Sequence, residues 1–198
     1  RPTVCRHSDT RTSINSMGYL LQAQVKLVEA ESCYREALER CRRILGDDHT
    51  VTLTSINNMG HLLQAQGKLT EAEPVYREAL EKFRRVLGED HADTLIAISH
   101  LSLLLQFQGR WAESESLCRE AVEKNRRVRG EKHRETIAAM VVLGGALIGQ
   151  NAMDKAVEAE SMLRQCVSIR EQTLPPKDWR LAFARSLLVR GDDPACPG

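Results

Sequence analysis

The sequence predicts an all-α fold, an α-solenoid of four helix-turn-helix repeats closed by a C-terminal capping helix. Three observations carry that expectation. Residues 12–53 laid on residues 54–95, an offset of 42, give 30 identities in 42 positions, and self-similarity at a fixed period of about 20–50 residues marks stacked repeats. Within each period the apolar residues recur at helical rather than strand spacing. Aromatics make up only 4% of the chain while Ala, Leu, Glu, Gln and Arg dominate, the reverse of a β-rich composition.

The elements follow in order. The run Thr12 to Gln24 returns as Thr54 to Gln66, then as Ile98 to Gln106, and in more divergent form as Met140 to Leu147. In the second copy Ile56, Met59, Gly60 and Leu63 line one face of a first helix. Gly67 marks a turn. Ala72, Tyr76, Ala79, Leu80 and Phe83 line a second helix that runs to Leu87 and stops at Gly88, with Arg84 and Arg85 in a last turn where cations suit the helix dipole. The polar run Glu89 to Thr94 then offers acidic and polar groups to cap the next helix. Gly18, Gly60, Ser102 and Gly144 on first helices, with Ala30, Ala72 and Ser114 on second helices, are small where the two must approach closely.

These positions resemble the tetratricopeptide pattern of a large residue, Leu-Gly, Tyr and Ala-x-x-x-Phe, with Ile56, Met59-Gly60, Leu63 and Ala72/Tyr76 in those places. The usual unit is about 34 residues, and the longer period here extends the second helix and its loop. Gln66 to Glu73, Tyr76 to Leu80 and Leu87 to His91 are similar to kinesin light chain repeats and to repeat arrays of large bacterial regulatory proteins. The resemblance covers residues 7 to about 174 and implies a right-handed superhelix.

The expected organisation is 1–9 as the end of a preceding repeat or a linker, then repeats at 10–51, 52–93, 94–135 and 136–175, a capping helix at 176–190 and a frayed tail at 191–198. His7 to Thr10 matches the junction His91 to Thr94, which predicts an upstream repeat in the full-length protein. In the fourth copy Ala159-Glu160 aligns with Ser114-Glu115 at an offset of 45, so three residues enter near Ala156 to Glu158, close to one helical turn. Pro175-Pro176 breaks the preceding helix. Leu181, Ala184, Leu187 and Leu188 give the last helix an apolar side to cover the end of the stack.

Function classes narrow from the same residues. A net charge of +1 supplies no broad field for nucleic acid or an anionic membrane. No run of about 18 apolar residues is present to span a bilayer. Cys5, Cys33, Cys41, Cys118, Cys166 and Cys196 form no C-x-x-C pair and suit reduced thiols in a cytoplasmic protein. His49, His91 and His133 recur at successive junctions, ~8–10 Å apart as helices pack. Zinc ligands must share one ion at about 2.0–2.3 Å, so the histidines read as caps or loop packing. No phosphate loop, nucleophile elbow or His-Glu-x-x-His helix occurs. Cys118 and Cys166 fall on core positions, and Trp111 reads as packing. The pairs Arg42-Arg43, Arg84-Arg85 and Arg126-Arg127 read as solvated faces matched by nearby acids. No enzyme, metal or cofactor is expected.

The family resemblance implies that first helices line a concave surface. The groove positions are then Asn15, Tyr19 and Gln22; Asn57, His61 and Gln64; Ser99, Leu103 and Gln106; and Val141, Gly145 and Ile148. The floor is amide-rich in the first two copies and apolar in the last two, a change that also suits residues covered by a neighbouring repeat or cap. The resemblance assigns Asn15 and Asn57 to the backbone of an extended peptide, using the amide as donor and acceptor, and gives no such role to Ser99 or Val141. Gln64 would assist, with Leu103 and Ile148 taking apolar side chains. The expected function is a scaffold for a protein or peptide partner. A structural spacer that self-associates end to end is the alternative.

Overall fold

The computed structural model describes residues 27–173 and 178–191. The described residues form eight helices: α1 (Leu27–Leu45), α2 (Thr50–Ala65), α3 (Leu69–Leu87), α4 (Ala92–Phe107), α5 (Trp111–Arg129), α6 (Arg134–Ile148), α7 (Met153–Thr173) and α8 (Trp179–Gly191). Two compact units divide within α4, the first ending at His100 and the second starting at Leu101. In the first unit α2 packs between α1 and α3; in the second α6 packs between α5 and α7, and α8 lies on α7 with an edge on α6. Asn15, Tyr19, Gln22, Gly18, His7, Cys5, Cys196 and Pro175-Pro176 lie outside the described residues.

The packing rests on a small residue facing a large one. Gly60 on α2 meets Tyr76 on α3, where a Cβ would stand 2.8 Å from two ring carbons, and Tyr76 is 0% exposed. In the fourth copy Gly144 meets Leu163, whose Cγ would be 2.9 Å from an added Cβ. The third copy redistributes the same volume: Ser102 replaces the glycine, Cys118 replaces the tyrosine, and the Ser114 hydroxyl donates to the Ser102 carbonyl at 2.9 Å. Ala159 and Leu163 fill the buried places of Ser114 and Cys118. Helix α7 is correspondingly 21 residues long against 19 for α5.

Each described junction repeats one hydrogen-bonded device. Gly46, Gly88 and Gly130 follow a second helix at φ 91°, 89° and 88°, left-handed values that glycine tolerates best. Their carbonyls accept from the hydroxyls of Thr52, Thr94 and Thr136 at 2.7, 2.8 and 2.8 Å. His49, His91 and His133 accept at Nδ1 from the backbone N–H two residues on, each at 3.2 Å. The histidines therefore act as the caps, one of the two roles their recurrence suggested, because histidine stands where the first free N–H groups point. The turns inside the repeats use Gly67 and Gly109 at φ 76° and 74°, and Asn151 takes the matching place at φ 52°, one of the few side chains at home there.

One core position changes character from copy to copy: Cys41, Phe83, Asn125 and Arg170 occupy it in turn, at 3%, 2%, 2% and 8% exposure. Asn125 spends its amide on the Ala121 carbonyl at 2.8 Å. Arg170 donates to the Arg180 carbonyl at 2.7 Å, which ties α7 to the start of α8. Asp178 accepts from the Arg180 N–H at 2.9 Å and so caps α8. Leu181, Ala184 and Leu187 form the buried face of α8, whereas Trp179 and Phe183 are 72% and 48% exposed.

Replacing Gly60 by Ala gains up to ~1 kcal/mol of helix propensity but overpacks a rigid ring, at ~1–3 kcal/mol. Gly60→Ala is therefore expected to lower the urea midpoint, and the loss should shrink in a Tyr76→Leu background. Equal losses in both backgrounds would show that the ring contact is not the cause.

Candidate interaction surface

The second-copy candidates Asn57, His61 and Gln64 lie on α2, and the fold brings them to one polar cluster. Asn57 is only 6% exposed. Its Nδ2 stands 2.9 Å from Nδ1 of His100 on α4, and its Oδ1 is buried without a hydrogen-bond partner. His61, one turn further along α2, is exposed, and its ring centroid lies 6.1 Å from that of His100. Tyr76 presents its ring to His100 at 5.9 Å, and its hydroxyl donates to Gln64 Oε1 at 3.1 Å. Ser99 turns inward to its own helix, donating to the Leu95 carbonyl at 3.1 Å.

The electrostatics of this cluster come from burial. Loss of solvent, and secondarily the nearby His61, push the His100 pKa down to about 4. Loss of solvent around its ring lowers His61 also, although that side chain still reaches the surface. Burial raises the Tyr76 phenol above its usual range, so at neutral pH the cluster carries dipoles rather than charges.

In the second unit Gln106 does structural work. Its Nε2 donates to Ser114 Oγ and to the Val142 carbonyl, both at 3.0 Å, bridging α4, α5 and α6. Gly145 leaves space for it, since a Cβ there would stand 2.9 Å from Gln106 Oε1. Gln64 takes its hydroxyl from Tyr76; where Cys118 replaces that tyrosine, Ser114 supplies one in place of Ala72. Leu103 and Ile148 are half-buried. Val141 is 3% exposed, so it belongs to the packed interior and not to an open floor. Trp111 packs on Gly149, where an added Cβ would run into the indole.

Two acidic clasps were not singled out from the sequence. Glu31 accepts from Lys68 Nζ at 2.8 Å and Arg35 Nη2 at 2.6 Å. The Lys68 and Arg35 hydrogen bonds hold its pKa at about 2. Glu115 accepts from Lys155 at 2.5 Å, Gln150 at 2.7 Å and Arg119 at 2.8 Å. Burial would raise its carboxyl, but these bonds outweigh burial and bring it to about 2. Recurrence of glutamate at 31, 73 and 115, each at the second helix's fifth position, was the available signal. The first arginine of each pair is ion-paired as expected: Arg42 with Glu78 at 3.0 Å, Arg84 with Glu89 at 3.2 Å and Arg126 with Glu131 at 2.8 Å.

A cleft of about 540 Å³ opens among α5, α6 and α7, with Val122, Leu143, Val157 and Met162 at its apolar side and the Arg119–Glu158 pair at its rim. Among the described residues no group of three or more His, Cys, Asp or Glu could hold a metal ion, and no helix is long and apolar enough to cross a membrane.

These features define a helical repeat scaffold with polar and apolar faces on its first helices. The chain belongs to the tetratricopeptide repeat family: one family model matches residues 52–93 and another matches residues 9–63 and 93–172. Among solved structures it is similar to the nearly identical TPR-like repeats of a kinesin light chain homologue from Podosopora anserina, at 20% identity and a TM-score of 0.76, covering 92% of this chain and 85% of that one. A variant of that protein gives 19% identity and 0.77, with 94% and 87% covered. BtubC (BKLC) from P. vanneervenii gives 21% identity and 0.77, with 90% and 70% covered. No curated protein sequence matches the chain. The likeness to kinesin-light-chain-type arrays is one of fold.

The pH dependence of stability follows from His100. Its folded pKa of about 4 lies below the ordinary imidazole value of 6.5, so the unfolded chain binds that proton first. The stability it confers is complete above about pH 6.5 and declines as pH falls towards 4. Glu31 and Glu115, depressed from 4.5 to about 2, act in the lower window. Melting temperatures at pH 7.5, 6 and 5 are expected to fall less steeply in His100→Gln than in the parent; parallel slopes would assign the loss elsewhere.

Proposed function

We propose that this chain, as a tetratricopeptide repeat domain, serves as a protein-interaction module whose first unit receives an extended segment of a partner at Asn57, His61 and Gln64. One observation carries the reading: the Asn57 Oδ1 acceptor is buried and makes no bond within the protein, an arrangement that costs about 1–3 kcal/mol. A backbone N–H from a bound segment would relieve that cost, entering beside His61, which lies one turn along on the same helix face. Asn15, Tyr19 and Gln22 would extend the polar contact by their place in the preceding copy. Leu103 and Ile148 of the second unit offer a separate apolar contact, and Ser99 and Gln106 serve as supports whose bonds are made internally.

Random peptide display against the chain at pH 7.5 is the test. Peptides enriched on the parent are expected to bind Asn57→Ala at least about tenfold more weakly, corresponding to ~1.4 kcal/mol, at a temperature where circular dichroism shows the variant still folded. Failure to enrich any peptide, or unchanged affinity in Asn57→Ala and His61→Ala, would remove the reading. The exposed Trp179 and Phe183 of α8 favour a second reading, self-association through that helix. Sedimentation velocity over a concentration series would then show an association that Trp179→Ser reduces.

A further inference from the structure

The contact between Asn57 and His100 admits only certain proton arrangements. With Nδ2 at 2.9 Å from His100 Nδ1, the amide N–H donates to a bare imidazole nitrogen, so the neutral ring carries its proton on Nε2. A protonated imidazole has donors at both nitrogens, and two N–H groups cannot face each other at that distance. Only the Asn57 oxygen can then face the ring. The amide's two ends are nearly the same size, so half a turn about its last side-chain bond makes the exchange without new volume. The end pointing away from His100 changes with it, from the partnerless buried Oδ1 to an NH₂ group.

The surroundings leave His100 as the controlling group. Helix α2 presents Asn57 and His61 to it, α3 presents Tyr76, and residues 96–104 of its own helix carry no other ionisable side chain. Among the described residues the charge that acts on it is that of His61. Two neighbouring imidazoles resist double protonation, so the pair titrates in steps. The proton comes from solvent and no other bond changes.

We propose that protonation of His100 reverses the Asn57 amide, so that this site of the first unit changes from accepting an N–H of a bound segment to donating to a carbonyl or carboxylate oxygen. The ligand class at low pH is therefore a peptide segment presenting carbonyl oxygens, and at neutral pH one presenting backbone N–H groups. The use of the switch rests on Asn57 being a ligand contact; the reversal itself belongs to the chain alone.

The test therefore needs no ligand. Long-range ¹⁵N correlation spectra of the full chain at pH 7.5 are expected to show His100 with its proton on Nε2; a neutral ring protonated at Nδ1 would overturn the proposal. On acidification the Asn57 side-chain amide resonances should move with the His100 midpoint, and the movement should vanish in His100→Gln. His61→Gln removes the neighbouring charge and should shift both midpoints upward together, keeping them within the folded range. Asn57 resonances that stay flat through the His100 midpoint would overturn it. Failure of peptides to bind Asn57 would leave these resonances unchanged and counts only against the binding reading.

Discussion

The approach of each first helix to its second governs the fold, because the hydrogen-bonded turns and loop caps make sense only once two helix axes lie close. Gly60 against Tyr76 and Gly144 against Leu163 achieve this by removing the side chain on one partner. The third copy shows that the constraint is one of volume. With Ser102 and Ser114 larger, Cys118 is smaller, and a hydroxyl–carbonyl bond joins the helices. Protein interiors are packed too densely to accept such changes singly, which is why the three positions vary together.

Polar side chains on the first helices are consequently divided between holding neighbours and facing outward. Gln64 accepts from the Tyr76 hydroxyl and Gln106 donates to the Ser114 hydroxyl, each on the second helix of its own copy. Asn57 is half engaged, with one end of its amide against His100 and the other unmatched. That unevenness distinguishes a supporting amide from one with capacity to spare.

The helices, their order and their core were legible because the period and the helical spacing act on the same residues. Ile56, Met59 and Leu63, with Tyr76 and Phe83, are buried as their spacing requires. The site was less legible. His100 carries no label in the sequence, since it occupies the place of Asn58 and reaches Asn57 only across two helices, 43 residues apart in sequence. Val141 read as a groove residue by register, but α6 is packed on both flanks, and register alone does not say how much of a helix surface its neighbours cover. The histidine caps were legible from their recurrence at the junctions, and the backbone geometry adds which N–H each imidazole takes.

The series Cys41, Phe83, Asn125 and Arg170 at one core position makes the repeats non-interchangeable parts. A second helix moved from one copy to another would bring an arginine where an aromatic ring fills the interior, or leave a hollow where an amide had been. Duplication by unequal recombination, the easiest way for a gene to lengthen such an array, would thus splice mismatched cores. Even the first two copies, identical at 30 of 42 positions, differ there, with Cys41 in one and Phe83 in the other.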